Sequence, residues 1–225
     1  MTTRGPLALV GGAEWTPGCD FDADLLADAG TDVVTVLPTA AAYERPDLVV
    51  DRARAWFGGL GARVEVVEVT TRGDAHDPAP VAVARAARFL YVAGGSPMHL
   101  LATLRHTPLW EAIVAGHGEG SVVAAAGLSA AVLCDAMVDP RGGGFGVGLG
   151  LTDQLTLIPG YDRWSAEKSR RTLQLAPRGL VVAGIPDRTA LLRDRSGAWT
   201  VAGTGAVKLF RDGEPVGTDE LTGRR

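Results

Sequence analysis

The apolar positions of this chain fall into short unbroken runs separated by longer stretches of mixed character. Leu7-Ala8-Leu9-Val10, Val33 to Leu37, Val64 to Val69, Phe89 to Ala93 and Ser121 to Ala126 are each almost wholly apolar or β-branched. They do not alternate with polar residues, as expected of strands covered by helices on both faces. Between them, Asp22 to Ala29, Leu48 to Phe57, Pro80 to Arg88, Pro97 to Leu104 and Leu109 to Ala115 read as helices, with Asp47 after Pro46 a cap for the second. Glycine or proline closes most strands: Gly11-Gly12, Pro38, Gly94-Gly95 and Gly127. Strand and helix in regular alternation predict an α/β fold, doubly wound around a mainly parallel sheet flanked by helices.

The last third reads differently. Leu155 to Ile158 is a strand leading into Pro159, and Ser165 to Leu175 a helix. Leu180 to Ala183, Ala190 to Leu192, Trp199 to Val201 and Ala206 to Phe210 are short strands separated by turns such as Asp194-Arg195-Ser196-Gly197. These predict antiparallel hairpins near the C-terminus, at one sheet edge. No internal repeat or low-complexity linker interrupts the pattern, so residues 1–225 are read as one domain. Pro140 to Gly146 is a Gly-rich loop, but without the Lys-Ser/Thr ending of a phosphate-binding loop.

Composition narrows the classes of function. Hydrophobic residues at 46% and charged residues at 21% suit a globular chain with a sizeable core. The formal net charge of −4 argues against a general nucleic-acid surface. Two cysteines, Cys19 and Cys134, lie far apart and form neither a disulfide framework nor a zinc signature. No run is long enough to span a membrane, and the N-terminus lacks the apolar region of a signal peptide. The expectation is a cytoplasmic protein without metal, cofactor, nucleic-acid or membrane partner. Its oligomeric state is open, a homodimer included.

The chemistry concentrates at Gly127-Leu128-Ser129-Ala130-Ala131, after an apolar strand and at the start of an apolar helix reaching about Met137. That pattern matches a nucleophile elbow, G-x-S-x-G with its last glycine replaced by Ala131. Ser129 is the nucleophile candidate and the Ala130 N–H an oxyanion donor; the alternative is a serine capping an ordinary helix. In a parallel sheet the Gly94-Gly95-Ser96-Pro97 turn should lie beside the elbow, with the Gly95 N–H facing the same anion site.

Taken together, these motifs resemble peptidase family S51, the aspartyl dipeptidases and cyanophycinases, whose fold is like that of class I glutamine amidotransferases and flavodoxin-like. The Gly-Gly turn followed by Leu100-Leu101, the elbow, the strand ends Leu9 to Gly12 and Val36 to Ala40, and Gly184-Ile185-Pro186-Asp187-Arg188-Thr189-Ala190 carry the likeness. The resemblance implies a serine hydrolase of small peptides or amides. It also implies a general-base histidine after the strand that follows the elbow, where this chain has Pro159-Gly160-Tyr161-Asp162. The histidine position is therefore read as Gly160. A serine needs a base within hydrogen-bond reach, and without one most of the rate is lost.

Of the four histidines only His99 falls near the predicted site, which makes it the substitute base to test. Asp187, in the Thr-Ala segment, is the acid candidate. Gly94, Ser96, Tyr161, Asp162 and Arg163 are the candidate ligand-binding residues, with Arg170 and Arg171 nearby. Three functions remain open: a divergent hydrolase using Ser129, a catalytically silent relative that binds a small ligand in the retained pocket, and an amidotransferase-like module using Cys134.

Overall fold

The computed structural model describes residues 4–221; Met1 to Thr3, the start of the N-terminus read above as lacking a signal peptide, lie outside the described residues. Strands β1 (Leu7–Val10), β2 (Val33–Leu37), β3 (Arg63–Val66), β4 (Phe89–Val92) and β5 (Val122–Ala126) pair in parallel in the order β1-β5-β4-β2-β3. Two antiparallel strands, β10 (Thr189–Arg193) and β11 (Trp199–Gly203), extend the sheet beyond β1 to seven strands. The predicted mainly parallel α/β architecture is thus the observed one.

Successive residues of each strand face opposite sides, so the apolar runs feed two cores. Ala8, Val10, Val36 and Tyr91 pack under helices α1 (Phe21–Ala29) and α2 (Pro46–Gly59). Leu7, Leu9, Leu90 and Val92 pack under α3 (Pro78–Ala86), α4 (Pro97–Leu104), α5 (Pro108–Gly118) and α6 (Leu128–Leu133). Leu7, Leu9, Leu90, Phe89 and Phe57 are essentially solvent-free. Each such side chain contributes roughly 1.5–3 kcal/mol of burial.

The C-terminal third carries the expected antiparallel strands, the edge hairpin β10–β11 among them, but it also builds a second sheet. Strand β8 (Leu155–Pro159) pairs in parallel with β9 (Val181–Ile185), and β12 (Lys208–Arg211) and β13 (Glu214–Val216) complete a second sheet of order β13-β12-β9-β8. Leu157, Ala183 and Ile185 bury against the same core as Leu7 and Leu9. Parallel pairing is possible because α7 (Ala166–Gln174) supplies the crossover from β8 to β9. The helix after β5 is also shorter than expected. It ends at Leu133 rather than near Met137, and β6 (Ala136–Val138) and β7 (Phe145–Val147) form a small hairpin around the Gly-rich loop.

One buried acid stands out in the α1/α2 core. Asp22 is fully buried and accepts the Trp56 indole N–H at 2.9 Å. Burial is the main cause that pushes its carboxyl up to about 8, with the nearby Glu14 carboxylate adding to it. Its Oδ1, the Tyr91 hydroxyl and the Trp15 indole nitrogen are buried without a hydrogen-bond partner among the described residues.

Candidate functional site

In a parallel sheet the loops leaving the C-terminal strand ends share one edge, and here three glycine turns meet there. Gly11-Gly12 follows β1, Gly94-Gly95 follows β4, and Gly127 follows β5, which lies between them. All five line a cavity of about 640 Å³, together with Glu14, Arg52, Leu128, Pro140, Arg163 and Trp164. Gly95 has φ 151°, and a Cβ there would overlap the Ala40 carbonyl, while Ser96 N–H donates to Ala40 O at 2.7 Å. Only glycine allows the two loops to approach this closely.

The sharp strand-to-helix turn falls on Gly127, not on Ser129. Gly127 has φ 57° and ψ −134°, a conformation that side-chain-bearing residues adopt only under strain. A Cβ built on it meets nothing within 4 Å, so a side chain at 127 would stand free at the cavity wall. Ser129 lies two residues on, inside α6, with no exposed surface, and its hydroxyl donates to Ala93 O at 2.7 Å. It does not line the cavity, and neither does Ala130, whose N–H donates to Gly127 O at 3.1 Å. Ser129 and Ala130, expected as nucleophile and oxyanion donor, therefore stand outside the cavity, two positions beyond Gly127 and Leu128, which line it. The N–H groups of Leu128 and Gly95 have no hydrogen-bond partner among the described residues, and both residues line the cavity. An oxygen of a bound ligand could take both.

Comparison with known proteins agrees with this architecture. The family model described as Peptidase family S51 matches residues 20–198, most of the chain. The chain belongs to peptidase family S51. Among solved structures it is similar to a peptidase from an acI-B1 Actinobacterium, with 26% identity, a TM-score of 0.83, and coverage of 96% of this chain and 97% of that one. A putative peptidase E protein from Listeria monocytogenes EGD-e shares the fold, at 16% identity and a TM-score of 0.64, with 92% of this chain and 98% of that chain covered. No curated protein matches.

The opposite wall of this S51 cavity is built where β8 ends. Gly160 adopts the left-handed conformation (φ 56°, ψ 40°), and its N–H donates to Gly11 O at 2.8 Å, which ties the second sheet to the end of β1. A Cβ at Gly160 would overlap the Arg163 guanidinium. That same guanidinium nitrogen pairs with Asp187 Oδ1 at 3.1 Å. Arg163 therefore fills the space into which a side chain at 160 would project, and satisfies the carboxylate that such a side chain would reach. Asp187 is further held by its own N–H, which donates to Asp162 Oδ1 at 3.1 Å.

The remaining sequence candidates scatter. His99 is turned away: its Nε2 lies 2.8 Å from Thr70 O and its ring packs edge-on against Tyr43 at 4.8 Å. It does not line the cavity and has no contact with Ser129. Ser96 caps α4, accepting the His99 N–H at 3.4 Å. Tyr161 covers Gly184 and packs on Phe210, and with Asp162 and Arg170 it lines a separate cavity on the second sheet. Arg171 lies against Gly143 of the Gly-rich loop. Only Gly94, Gly95 and Arg163 of the candidates line the S51 cavity itself, with Asp187 behind Arg163. Cys134 is fully buried, and burial holds its thiol up at about 12, so it stays a protonated apolar residue. Among the described residues no group of three His, Cys, Asp or Glu side chains could hold a metal ion, and no helix is long and apolar enough to cross a membrane.

Sequence reasoning missed Glu14, Arg52, Pro140 and Trp164, all of which line the cavity. For Glu14 a signal existed: it follows a Gly-Gly turn at the end of a buried parallel strand, where ligand-facing loops gather.

Proposed function

We propose that this S51 chain binds a small peptide or amide in the glycine-rimmed cavity and does not hydrolyse it. One observation carries the reading: the strained turn after β5 presents glycine, Gly127, where a nucleophile would stand, and the hydroxyl of Ser129, two residues on, is buried and donates to Ala93 O. A silent nucleophile position is matched by a silent base position. Gly160 has no side chain, and Arg163 closes over Asp187 in its place. What remains is a preformed cleft with two free N–H groups, those of Gly95 and Leu128, suited to a carbonyl oxygen of the ligand. Serine peptidase chemistry requires a nucleophile and a base within hydrogen-bond reach of each other, and no hydroxyl, thiol or imidazole lines the cavity.

A panel of free dipeptides tests this directly. Members that fit should raise the melting temperature of the protein, while chromatography of the same mixtures over a day shows no cleavage products. Turnover of any dipeptide above the buffer control would refute the reading, as would a panel in which none binds.

A further inference from the structure

We infer that the Glu14 side of this cavity receives a primary ammonium group, held by the carboxylate of Glu14, so that the amino end of the ligand binds there. The inference rests on the reading of the cavity as a ligand site and names which end of the ligand it recognises.

Glu14 lines the cavity, and its Oε1 accepts the Gly94 N–H at 3.1 Å. Among the described residues no Lys, Arg or His lies within ion-pair distance of it; the ion pairs formed by the chain lie elsewhere. The backbone that carries the carboxylate is tightly held. Ala13 and Trp15, on either side of it, are both held at positive φ, 50° and 60°, and Gly12 before them at 140°. Non-glycine residues persist in that region only where their surroundings enforce it. Here Gly12 O accepts the Arg188 N–H at 2.9 Å, Ala13 O accepts the Thr16 hydroxyl at 2.6 Å, and the Trp15 ring is buried 5.1 Å from that of Tyr91. The loop therefore places the Glu14 carboxylate at the cavity wall with the Gly94 N–H as its partner, and Glu44 adds a second carboxylate to the lining.

That charge decides what this wall can accept. The Gly94 N–H is already engaged by the protein's own carboxylate. A ligand anion placed beside it would meet an unscreened like charge in a partly water-excluded cleft. An ammonium group would gain a charge-assisted hydrogen bond from the same oxygen atoms. Positive charge sits elsewhere along the lining, on Arg52 and on Arg163, the latter already paired with Asp187. The neutral N–H groups of Gly95 and Leu128 are left for a carbonyl.

Calorimetric titration with two probes separates the ends. Alanyl-alanine amide carries an ammonium and no carboxylate; N-acetyl-alanyl-alanine carries a carboxylate and no ammonium. The amide should bind the wild type at least tenfold more tightly than the acetylated acid. Glu14→Gln, which keeps an oxygen acceptor for the Gly94 N–H, should weaken the amide tenfold or more while leaving the acetylated acid unchanged. Circular dichroism checks that the variant is folded. Binding of the acetylated acid as tightly as the amide, or an amide affinity indifferent to Glu14→Gln, overturns the inference while the cavity remains a ligand site. Binding of neither probe, with no dipeptide bound in the wider panel, overturns both.

Discussion

Serine at position 127 is expected to give this protein a fluorophosphonate-reactive hydroxyl that the wild type lacks. The backbone at 127 already has the turn geometry, and the Cβ direction is open. Strain at φ 57° should cost about 1–3 kcal/mol of stability, visible as a lower denaturant midpoint without loss of the folded state. Reaction in Gly127→Ser alone should be slow, because no histidine lines the cavity. Adding Gly160→His together with Arg163→Ala should speed it by about 10²- to 10⁴-fold, the usual worth of a positioned general base. The arginine must go because its guanidinium occupies the space that the imidazole needs and holds Asp187, the acid that would orient it. Histidine tolerates the left-handed backbone found at 160 better than most residues. A folded Gly127→Ser protein that labels no faster than the wild type would contradict the placement of the turn.

The second large effect concerns stability rather than chemistry. Asp22→Asn is expected to stabilise the protein at pH 8 by on the order of 3 kcal/mol, with the gain fading toward pH 4. In the folded chain burial holds the Asp22 carboxyl up at about 8, above its ordinary value of 3.8. The unfolded chain therefore ionises first as pH rises. The stability that the protonated group contributes is complete below about pH 4 and lost as pH climbs through 8. Each pKa unit is worth about 1.4 kcal/mol, and water penetration trims the full amount. Asparagine keeps an oxygen for the Trp56 N–H and carries no charge to desolvate. Urea unfolding of both proteins at pH 4.5 and pH 8 reads the difference. A gap that does not change with pH would show that Asp22 is ionised in the folded state.

Much of the fold was legible because burial on both sheet faces writes itself into unbroken apolar runs such as Leu7 to Val10 and Phe89 to Val92. The second sheet was not. Whether β9 pairs with β8 in parallel or forms a hairpin depends on where α7 carries the chain, and short strands around Val181 and Thr189 look alike on either course. The site shows the same divide. The edge where Gly11-Gly12, Gly94-Gly95 and Gly127 meet follows from strand order, and sequence found most of it. The two-residue offset at Ser129 arose because G-L-S-A-A matches an elbow string without revealing which residue bears the strained dihedrals. The glycine itself was the better clue: it follows the strand directly, as the glycines after β1 and β4 do, and positive φ is what glycine supplies. The unbroken apolar run from Ala130 to Leu133, which makes α6 a buried helix, pointed the same way, since a serine opening such a helix is buried with it. Arg163 was named as a ligand-binding residue; its closure over Asp187 in the space beside Gly160 depends on a side-chain path that no spacing encodes.

The most direct test of the central claim is treatment of the native wild-type protein with a fluorophosphonate, followed by intact-mass measurement and peptide mapping. The account predicts no adduct on the folded chain, and no change in that result for Ser129→Ala, whose only effect should be lower stability from an unsatisfied Ala93 carbonyl. A stoichiometric adduct on Ser129, absent from Ser129→Ala, would contradict it.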